Sequence, residues 1–291
     1  MSLVAIIGAG ELGAAVAARV AARDRVGELR LVDPAGGGSI AAGKALDIQQ
    51  SGPIEGFRTR VTADADVRAS AGARVVVVAD SAVTSEEWQG DEGLALVGRL
   101  WPLFEREPTA IVCAGASQRQ LIERGIAERR IDPRRICGSA PGALEAAIRA
   151  LVAVETDGSP DDVRLEVTGT PPRGAVIGWS AATVRGAIVT EVLPAHRLNA
   201  IGARLPALWP PGPYALASAA ARVVEALVAG SLRRQTCFVA LDSADFAGRI
   251  RGPRGRVAAM PVRLGVGRVE MILTPSLSLQ ERTLLETAIN A

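Results

Sequence analysis

The chain has 291 residues, with 33 basic and 31 acidic side chains, a net charge of +2, and an apolar share of 48%. This balance gives no electrostatic case for binding nucleic acid or a membrane surface. No apolar run approaches the length of a bilayer-crossing helix, so we expect no membrane span. The length predicts two domains or one large α/β unit.

The first forty residues are the most informative stretch. Residues 3–7 are all apolar, which predicts a buried strand. The glycine loop, residues 8–13, follows with the spacing G-x-G-x-x-G and leads into an alanine-rich helical stretch. A second apolar run, residues 29–32, ends on Asp33. Strand, glycine loop, helix, strand and acid in this order are the fingerprint of a dinucleotide site.

Each part of this pattern has a physical role. Gly8 permits the tight turn, Gly10 lets the backbone approach a pyrophosphate, and Gly13 lets the helix pack closely on the strand. The N–H groups and positive dipole end of the helix then hold the phosphates. Asp33 is expected to bind the adenosine ribose hydroxyls, which favours NAD over its 2′-phosphorylated form. The predicted cofactor-binding residues are Gly8, Gly10, Glu11, Leu12, Gly13, Asp33 and Ala79.

The rest of the first half alternates strands and helices. Strands are predicted near residues 60–62, 74–79 and 110–113, and helices at residues 40–50, 93–107 and 117–129. A polar loop, residues 80–92, follows the second of these strands. The alternation predicts a doubly wound parallel sheet to about residue 140.

The second half has a different pattern. Helices are predicted at residues 141–154, 194–205 and 215–229, and strands at residues 163–167, 175–180, 236–241, 257–263 and 268–273. Ser278 and Glu281 form a capping-box pattern at the start of a last helix. We therefore predict an α/β chain with a dinucleotide-binding domain over residues 1–140 and an α+β domain over residues 141–291.

The cysteines predict buried thiols. Cys113, Cys137 and Cys237 are widely separated and form no C-x-x-C pair, so we expect neither a disulfide framework nor a metal site. The apolar start lacks the basic segment of a secretory signal. We therefore expect a cytoplasmic protein in a reducing compartment.

The sequence resembles the lactate/malate dehydrogenase family, most closely its lactate-dehydrogenase-like malate dehydrogenases. The resemblance covers almost the whole chain and is carried by residues 7–13 (IGAGELG), 43–57 (GKALDIQQSGPIEGF), 135–139 (RICGS), 214–226 and 260–270 (MPVRLGVGRVE). It implies a Rossmann-type domain that binds NAD, followed by the family's α+β substrate domain. It also implies a homo-oligomer, either a dimer or a tetramer.

The resemblance breaks at the acid/base residue. The family uses a histidine in a G-x-H-G-D segment, because an imidazole can alternate between protonation states near working pH. The corresponding segment here is residues 169–173, and the histidine position falls on Pro171. The only histidine, His196, lies at the start of a predicted helix, where we expect it to be exposed.

The substrate-binding positions are altered as well. The family's orienting aspartate aligns with Leu144, or with Glu145 after a one-residue slip, and its arginine with Ala147 or Ile148. Glu145 reads most simply as a surface carboxylate. The predicted loop of residues 80–92 contains no arginine to clamp a carboxylate. Its acids are expected to be solvated: Asp80, Glu86, Glu87, Asp91 and Glu92. Two further family polar positions align with Ala114 and Pro211.

These losses predict a family member that binds NAD but lacks malate and lactate dehydrogenase activity. A regulatory partner of an active paralogue and a nucleotide-sensing protein both remain open. The alternative is an NAD-dependent oxidoreductase that acts on a different, non-dicarboxylate substrate. For that chemistry the candidate acid/base residues are Tyr214, Glu145, Asp80 and Glu87, and the candidate anion-binding residues are Arg173 and Arg119.

Overall fold

The computed structural model describes residues 2–241 and 255–291. Its strands are β1 (Leu3–Ile7), β2 (Glu28–Val32), β3 (Arg60–Asp64), β4 (Val75–Val78), β5 (Ala110–Cys113), β6 (Ile136–Gly138), β7 (Val163–Arg164), β8 (Val167–Thr170), β9 (Gly174–Ile177), β10 (Thr183–Val184), β11 (Ala187–Ile188), β12 (Arg234–Ala240), β13 (Val257–Gly265) and β14 (Arg268–Ile272). Its α-helices are α1 (Glu11–Ala22), α2 (Gly38–Glu55), α3 (Gly90–Phe104), α4 (Arg119–Arg129), α5 (Ala140–Glu155), α6 (Val189–Val192), α7 (Ala195–Ala203), α8 (Pro213–Ala229) and α9 (Leu279–Asn290).

The main sheet has a parallel half and an antiparallel half. Strands β3, β2, β1, β4, β5 and β6 lie in that order, followed by β12, β13, β8 and β9. The first six strands pair in parallel, and helices connect most of them. This is the doubly wound order of a Rossmann fold. The predicted α/β class is therefore confirmed.

The sheet register brings the predicted cofactor residues to one edge. Ile7 pairs with Val32 on one side and with Val78 on the other, so β1, β2 and β4 end at the same level. The strand order reverses between β1 and β4, and ligands of open α/β sheets bind at such a point. The segments that emerge there side by side are the glycine loop, Asp33 and Ala79.

Two clusters of buried apolar side chains stabilise the fold. The larger cluster joins β1 to β6 with α1, α3, α8, β12 and β13, and the smaller one lies between α5, α7 and β7 to β9. Since the larger cluster draws on elements from both sides of residue 140, the domain boundary there stays a prediction. Among the described residues, none of the helices combines the length and the apolar character that crossing a membrane requires.

Several predicted bounds were wrong: the helix predicted at 93–107 is α3 (Gly90–Phe104), and the strand predicted at 175–180 is β9, which ends at Ile177. Two further differences have a clear physical reason. Helix α2 does not end at residue 50 but runs to Glu55 with Pro53 inside it. It ends at Gly56, which has φ +83° and donates its N–H to the carbonyl of Gly52 over 2.8 Å, a left-handed cap that only glycine adopts easily. The predicted strand at 163–167 is two strands, because β7 pairs with β10 in a small separate sheet while β8 pairs with β13.

Candidate functional site

The candidate site lies where β1, β2 and β4 end. Gly8 N–H donates to the carbonyl of Val32 over 2.7 Å, and Ala79 N–H donates to the carbonyl of Ile7 over 2.9 Å. The structure therefore brings the glycine loop, Asp33 and Ala79 together, as the sequence predicts. Glu11 is exposed at the first position of α1.

Two of the glycines are required by close backbone approach. Gly8 has φ +105°, and a Cβ there would lie 2.1 Å from the carbonyl oxygen of Asp80. A Cβ on Gly13 would lie 2.0 Å from the carbonyl oxygen of Gly8. No side chain fits at either place, so the tight turn and the close packing of α1 have the geometry expected of this motif.

Asp33 is turned into the protein rather than toward a ligand. The residue is 0% exposed. Its Oδ2 accepts hydrogen bonds from Ala9 N–H over 2.9 Å and from Ala82 N–H over 2.7 Å, and its Oδ1 accepts from Ala35 N–H over 3.2 Å. The carboxylate that was expected to bind a ribose thus binds backbone N–H groups of three segments. Its role toward NAD stays a prediction.

Asp80 fills the space in front of α1. The residue is 5% exposed, and its Oδ2 and Oδ1 accept hydrogen bonds from Leu12 N–H over 3.0 Å and from Gly13 N–H over 2.7 Å. Gly10 N–H donates to the Asp80 carbonyl over 3.1 Å. These first N–H groups of a helix have no partner within the helix and carry its positive dipole end. The carboxylate therefore occupies the position where the motif binds phosphate.

The segment that follows β4 is held down at several points. We call residues 80–89 the acidic loop, because α3 begins at Gly90. The Glu87 carboxylate accepts hydrogen bonds from Ala116 N–H over 2.9 Å and from Ser117 N–H over 2.8 Å. The expectation that the loop acids are solvated is therefore wrong for Asp80 and Glu87. Both accept hydrogen bonds from backbone N–H groups.

Sequence reasoning missed two polar side chains that complete this site. The Gln118 amide donates to the carbonyl oxygens of Ala79 over 3.1 Å and Trp88 over 2.9 Å, which ties α4 to both ends of the acidic loop. Lys44 Nζ donates to the carbonyl oxygens of Ala9 over 2.6 Å and Gly10 over 3.0 Å. The one signal for Lys44 was that it is the only lysine of the chain.

The family's cofactor, NAD, does not fit the site as these residues are arranged. A pyrophosphate needs the N–H groups of α1 and an open approach to the glycine loop. A Cβ built on Gly10 would lie 2.3 Å from Cγ and Oδ2 of Asp80, so the space above that glycine is already filled by a carboxylate. The donors and the space are both taken by this chain's own side chain.

The turn between β8 and β9 contains no group that can transfer a proton. Pro171 is buried there, next to the exposed Pro172 and Arg173. His196 is exposed in the first turn of α7, as expected. Ala114, which stands at a family polar position, is fully buried among apolar side chains after β5.

Glu145 is half-buried rather than an exposed surface carboxylate, contrary to the expectation. It lines a polar cavity of about 620 Å³ between α5, α8 and β12 that also contains Ser139, Arg149, Arg222 and Arg234. The hydroxyl of Thr236 donates to its Oε2, and burial raises the pKa of the Glu145 carboxyl above its ordinary value. The Ser139 hydroxyl is buried without a hydrogen-bond partner in the described part of the chain.

The other candidate residues are not brought together. Tyr214 lies at the start of α8 and is 67% exposed. Arg119 pairs with Glu123 over 2.9 Å and donates to the carbonyl of Val257 over 3.2 Å. Among residues 2–241 and 255–291, no group of three or more His, Cys, Asp and Glu side chains is arranged to hold a metal ion. The three cysteines are free and buried, as predicted.

Comparison with known proteins identifies the family. A search against sequence models of protein families found no match to the chain. The malate dehydrogenase of Thermomicrobium roseum is 30% identical over 99% of this chain and 95% of its own length. The malate dehydrogenase structure from Salinibacter ruber is 26% identical, superimposes with a TM-score of 0.85, and is covered over 93% of its length. The Cryptosporidium parvum lactate dehydrogenase, solved with lactic acid and NAD, is 20% identical with a TM-score of 0.83 over 94% of its length, which supports the fold alone. By sequence and by fold, the chain belongs to the lactate/malate dehydrogenase family.

Proposed function

We propose that this chain is a non-catalytic member of its family, which does not interconvert malate and oxaloacetate or lactate and pyruvate. The observation that carries the proposal is the turn between β8 and β9, where Pro171 stands at the acid/base position. A proline side chain neither accepts nor donates a proton. Loss of acid/base assistance alone typically lowers a rate by ~10²–10⁴.

The surroundings of the missing base support the same conclusion. The positions of the orienting acid and the clamping arginine are Leu144 and Ala147 in the ungapped alignment, and Glu145 and Ile148 after the one-residue slip. Neither alignment places an arginine there, and Leu144 and Ile148 lie in the smaller apolar cluster. Arg149 is nearby on α5, but its guanidinium donates to the carbonyl oxygens of Val163 and Pro160. The arginine of the family's carboxylate clamp is therefore missing from its aligned position, and loss of such positioning lowers the rate further.

We also propose that the protein acts by association, with a second copy of itself or with an active paralogue. Lactate/malate dehydrogenases are typically oligomeric. Helix α2 presents Leu46 and Ile54 to solvent at 58% and 86% exposure, and side chains of this kind are favourable at an interface. Light scattering on the purified protein tests self-association, and a monomer at all concentrations would contradict it.

The catalytic proposal is tested by following NADH oxidation with oxaloacetate, pyruvate and a panel of neutral carbonyl compounds. The malate dehydrogenase of Thermomicrobium roseum serves as the positive control. We expect rates indistinguishable from those without protein. Turnover of oxaloacetate or pyruvate at an ordinary dehydrogenase rate would contradict the proposal. Turnover of a neutral carbonyl alone would favour the alternative oxidoreductase, and the variant Glu145→Gln would then test whether the buried carboxyl contributes.

A further inference from the structure

The N-terminus of α1 holds an anion that belongs to the chain itself. The Asp80 carboxylate accepts hydrogen bonds from Leu12 N–H at 3.0 Å and Gly13 N–H at 2.7 Å. We propose that Asp80 is the permanent occupant of the dinucleotide site and replaces a pyrophosphate there, so that the protein does not bind NAD or NADH. This inference goes beyond the proposed lack of catalysis, since it concerns cofactor binding rather than turnover.

The first step of the argument concerns hydrogen-bond donors. A helix N-terminus binds phosphate through a few N–H groups that have no partner inside the helix. In this chain, Leu12 and Gly13 donate to the Asp80 carboxylate, and Gly10 donates to the Asp80 carbonyl. Each N–H has one proton to donate. A bound pyrophosphate would have to displace all of these bonds.

The second step concerns space. The motif has a glycine at its second position so that phosphate can approach the backbone. Here a Cβ on Gly10 would lie 2.3 Å from the Asp80 carboxylate, so not even a methyl group fits above this glycine. The approach that a pyrophosphate needs is closed by a carboxylate of the same charge sign.

The third step concerns the stability of this arrangement. Rotating the Asp80 side chain away would break its bonds from Leu12 and Gly13 N–H, and the Asp80 backbone is held separately by its carbonyl, which accepts from Gly10 N–H. The acidic loop around it is closed by Trp88 N–H donating to the Ala79 carbonyl over 3.0 Å, and Glu87 and Gln118 hold it to the segment after β5. Vacating the phosphate position therefore breaks both hydrogen bonds of the carboxylate, and moving the acidic loop as a whole would break its backbone and side-chain bonds as well.

The fourth step concerns the ribose end of the site. Ala82, two residues after Asp80, donates its N–H to Oδ2 of Asp33 over 2.7 Å. The same acidic loop thus fills the phosphate position with a carboxylate and uses the ribose-binding carboxylate as an acceptor for its own backbone. At both polar ends of the predicted cofactor site, the hydrogen-bonding groups are therefore bound to other groups of this chain.

The inference is tested by calorimetric titration of the full chain with NADH and, separately, with inorganic pyrophosphate. Three proteins are compared: the unaltered chain, Asp80→Ala, and Glu86→Ala as a matched control, since Glu86 is an exposed carboxylate of the same loop. For the unaltered chain and the control we expect no saturable NADH binding up to about 1 mM, the upper end of usual enzyme affinities. For Asp80→Ala we expect pyrophosphate affinity to rise by about tenfold or more, the factor that one charge-assisted hydrogen bond is worth.

Saturable NADH binding by the unaltered chain would overturn the inference, whatever Asp80→Ala does. Pyrophosphate affinity that does not rise in a folded Asp80→Ala variant would overturn it as well. If that variant fails to fold, the NADH titration of the unaltered chain still decides the question, and a melting temperature that rises with added NADH would count against the inference. NADH binding without turnover would leave the proposed lack of catalysis standing, so the two proposals fail separately.

Discussion

The buried carboxylate of Asp33 provides the sharpest test of how this site is organised. If Asp33 serves a ribose, Asp33→Ala should abolish NADH binding and leave stability almost unchanged. If it serves the fold, as its contacts indicate, the same substitution should destabilise the protein. Oδ2 accepts from Ala9 and Ala82 N–H at 2.9 and 2.7 Å, and Oδ1 accepts from Ala35 N–H at 3.2 Å.

The magnitude follows from these bonds. A hydrogen bond to a charged group contributes ~1.5–3 kcal/mol, and a buried donor left without a partner costs a similar amount. Two strong buried bonds and one longer bond give an expected loss of about 3–5 kcal/mol in the free energy of unfolding, a large share of the ~5–15 kcal/mol typical of proteins. Asp33→Asn should lose about half as much, because one amide oxygen at the Oδ2 position can keep the Ala9 and Ala82 bonds.

The measurement is urea unfolding followed by tryptophan fluorescence and, independently, by circular dichroism. The matched control is Asp47→Ala on α2, which removes an exposed aspartate and should change stability by no more than about 0.5 kcal/mol. A loss below about 1 kcal/mol for Asp33→Ala would refute the structural role, since that is less than one charge-assisted hydrogen bond. An Asn variant as destabilised as the Ala variant would refute the assignment of both strong bonds to Oδ2.

Three further predictions concern Gly10, Glu145 and the buried cysteines. Gly10→Ala should lower the free energy of unfolding by about 1–3 kcal/mol, because the added methyl group overpacks against Asp80. In a protein that already carries Asp80→Ala, the same substitution should cost clearly less. Equal losses in the two proteins would show that the carboxylate does not fill the site. Burial raises the pKa of Glu145, so the folded chain keeps a proton that the unfolded chain releases, and stability should fall as pH rises from the ordinary carboxyl value of 4.5 through the raised one. Glu145→Gln should remove that part of the decline, and urea titrations at about pH 5 and about pH 8 measure it; an unchanged slope would contradict the burial. Burial raises the pKa of the Cys113 thiol, and a hydrogen bond to Cys137 together with burial raises that of Cys237. A thiol-specific reagent should therefore label both only after denaturation, and rapid labelling of the native protein would refute their enclosure.

Most of the fold is predictable because its signals are local. The apolar runs at β1, β4 and β5 and the spacing of the glycine loop each lie within a few residues, and together they predict the parallel sheet. The predicted bounds of helices and strands are wrong where local signals conflict. At Pro53 a turn pattern interrupts α2, yet the helix continues to the left-handed cap at Gly56. The stop signal at Pro53 is thus weaker here than the glycine cap three residues later.

The site is less predictable because its key contacts are not local. A run of acids after a strand predicts a solvated loop, and nothing near Asp80 in the sequence indicates that it reaches Leu12 and Gly13, more than sixty residues earlier. The same holds for Gln118, which closes the loop from the start of α4. The prediction that Glu145 is a surface carboxylate is wrong for a related reason. A single carboxylate in a helix is expected to be exposed, whereas the packing of α5 against β12 places Glu145 beside Thr236 and leaves it half-buried.

These contacts change what the glycine motif means. The spacing of Gly8, Gly10 and Gly13 is usually taken as evidence for a dinucleotide, because the ligand needs close approach to the backbone. In this chain Asp80 imposes the same requirement: a Cβ on Gly8 meets its carbonyl at 2.1 Å and a Cβ on Gly10 meets its carboxylate at 2.3 Å. The glycines are thus fully explained without a cofactor. In this chain the G-x-G-x-x-G motif accommodates an anion at the helix N-terminus that is supplied by the side chain of the second residue after β4, Asp80.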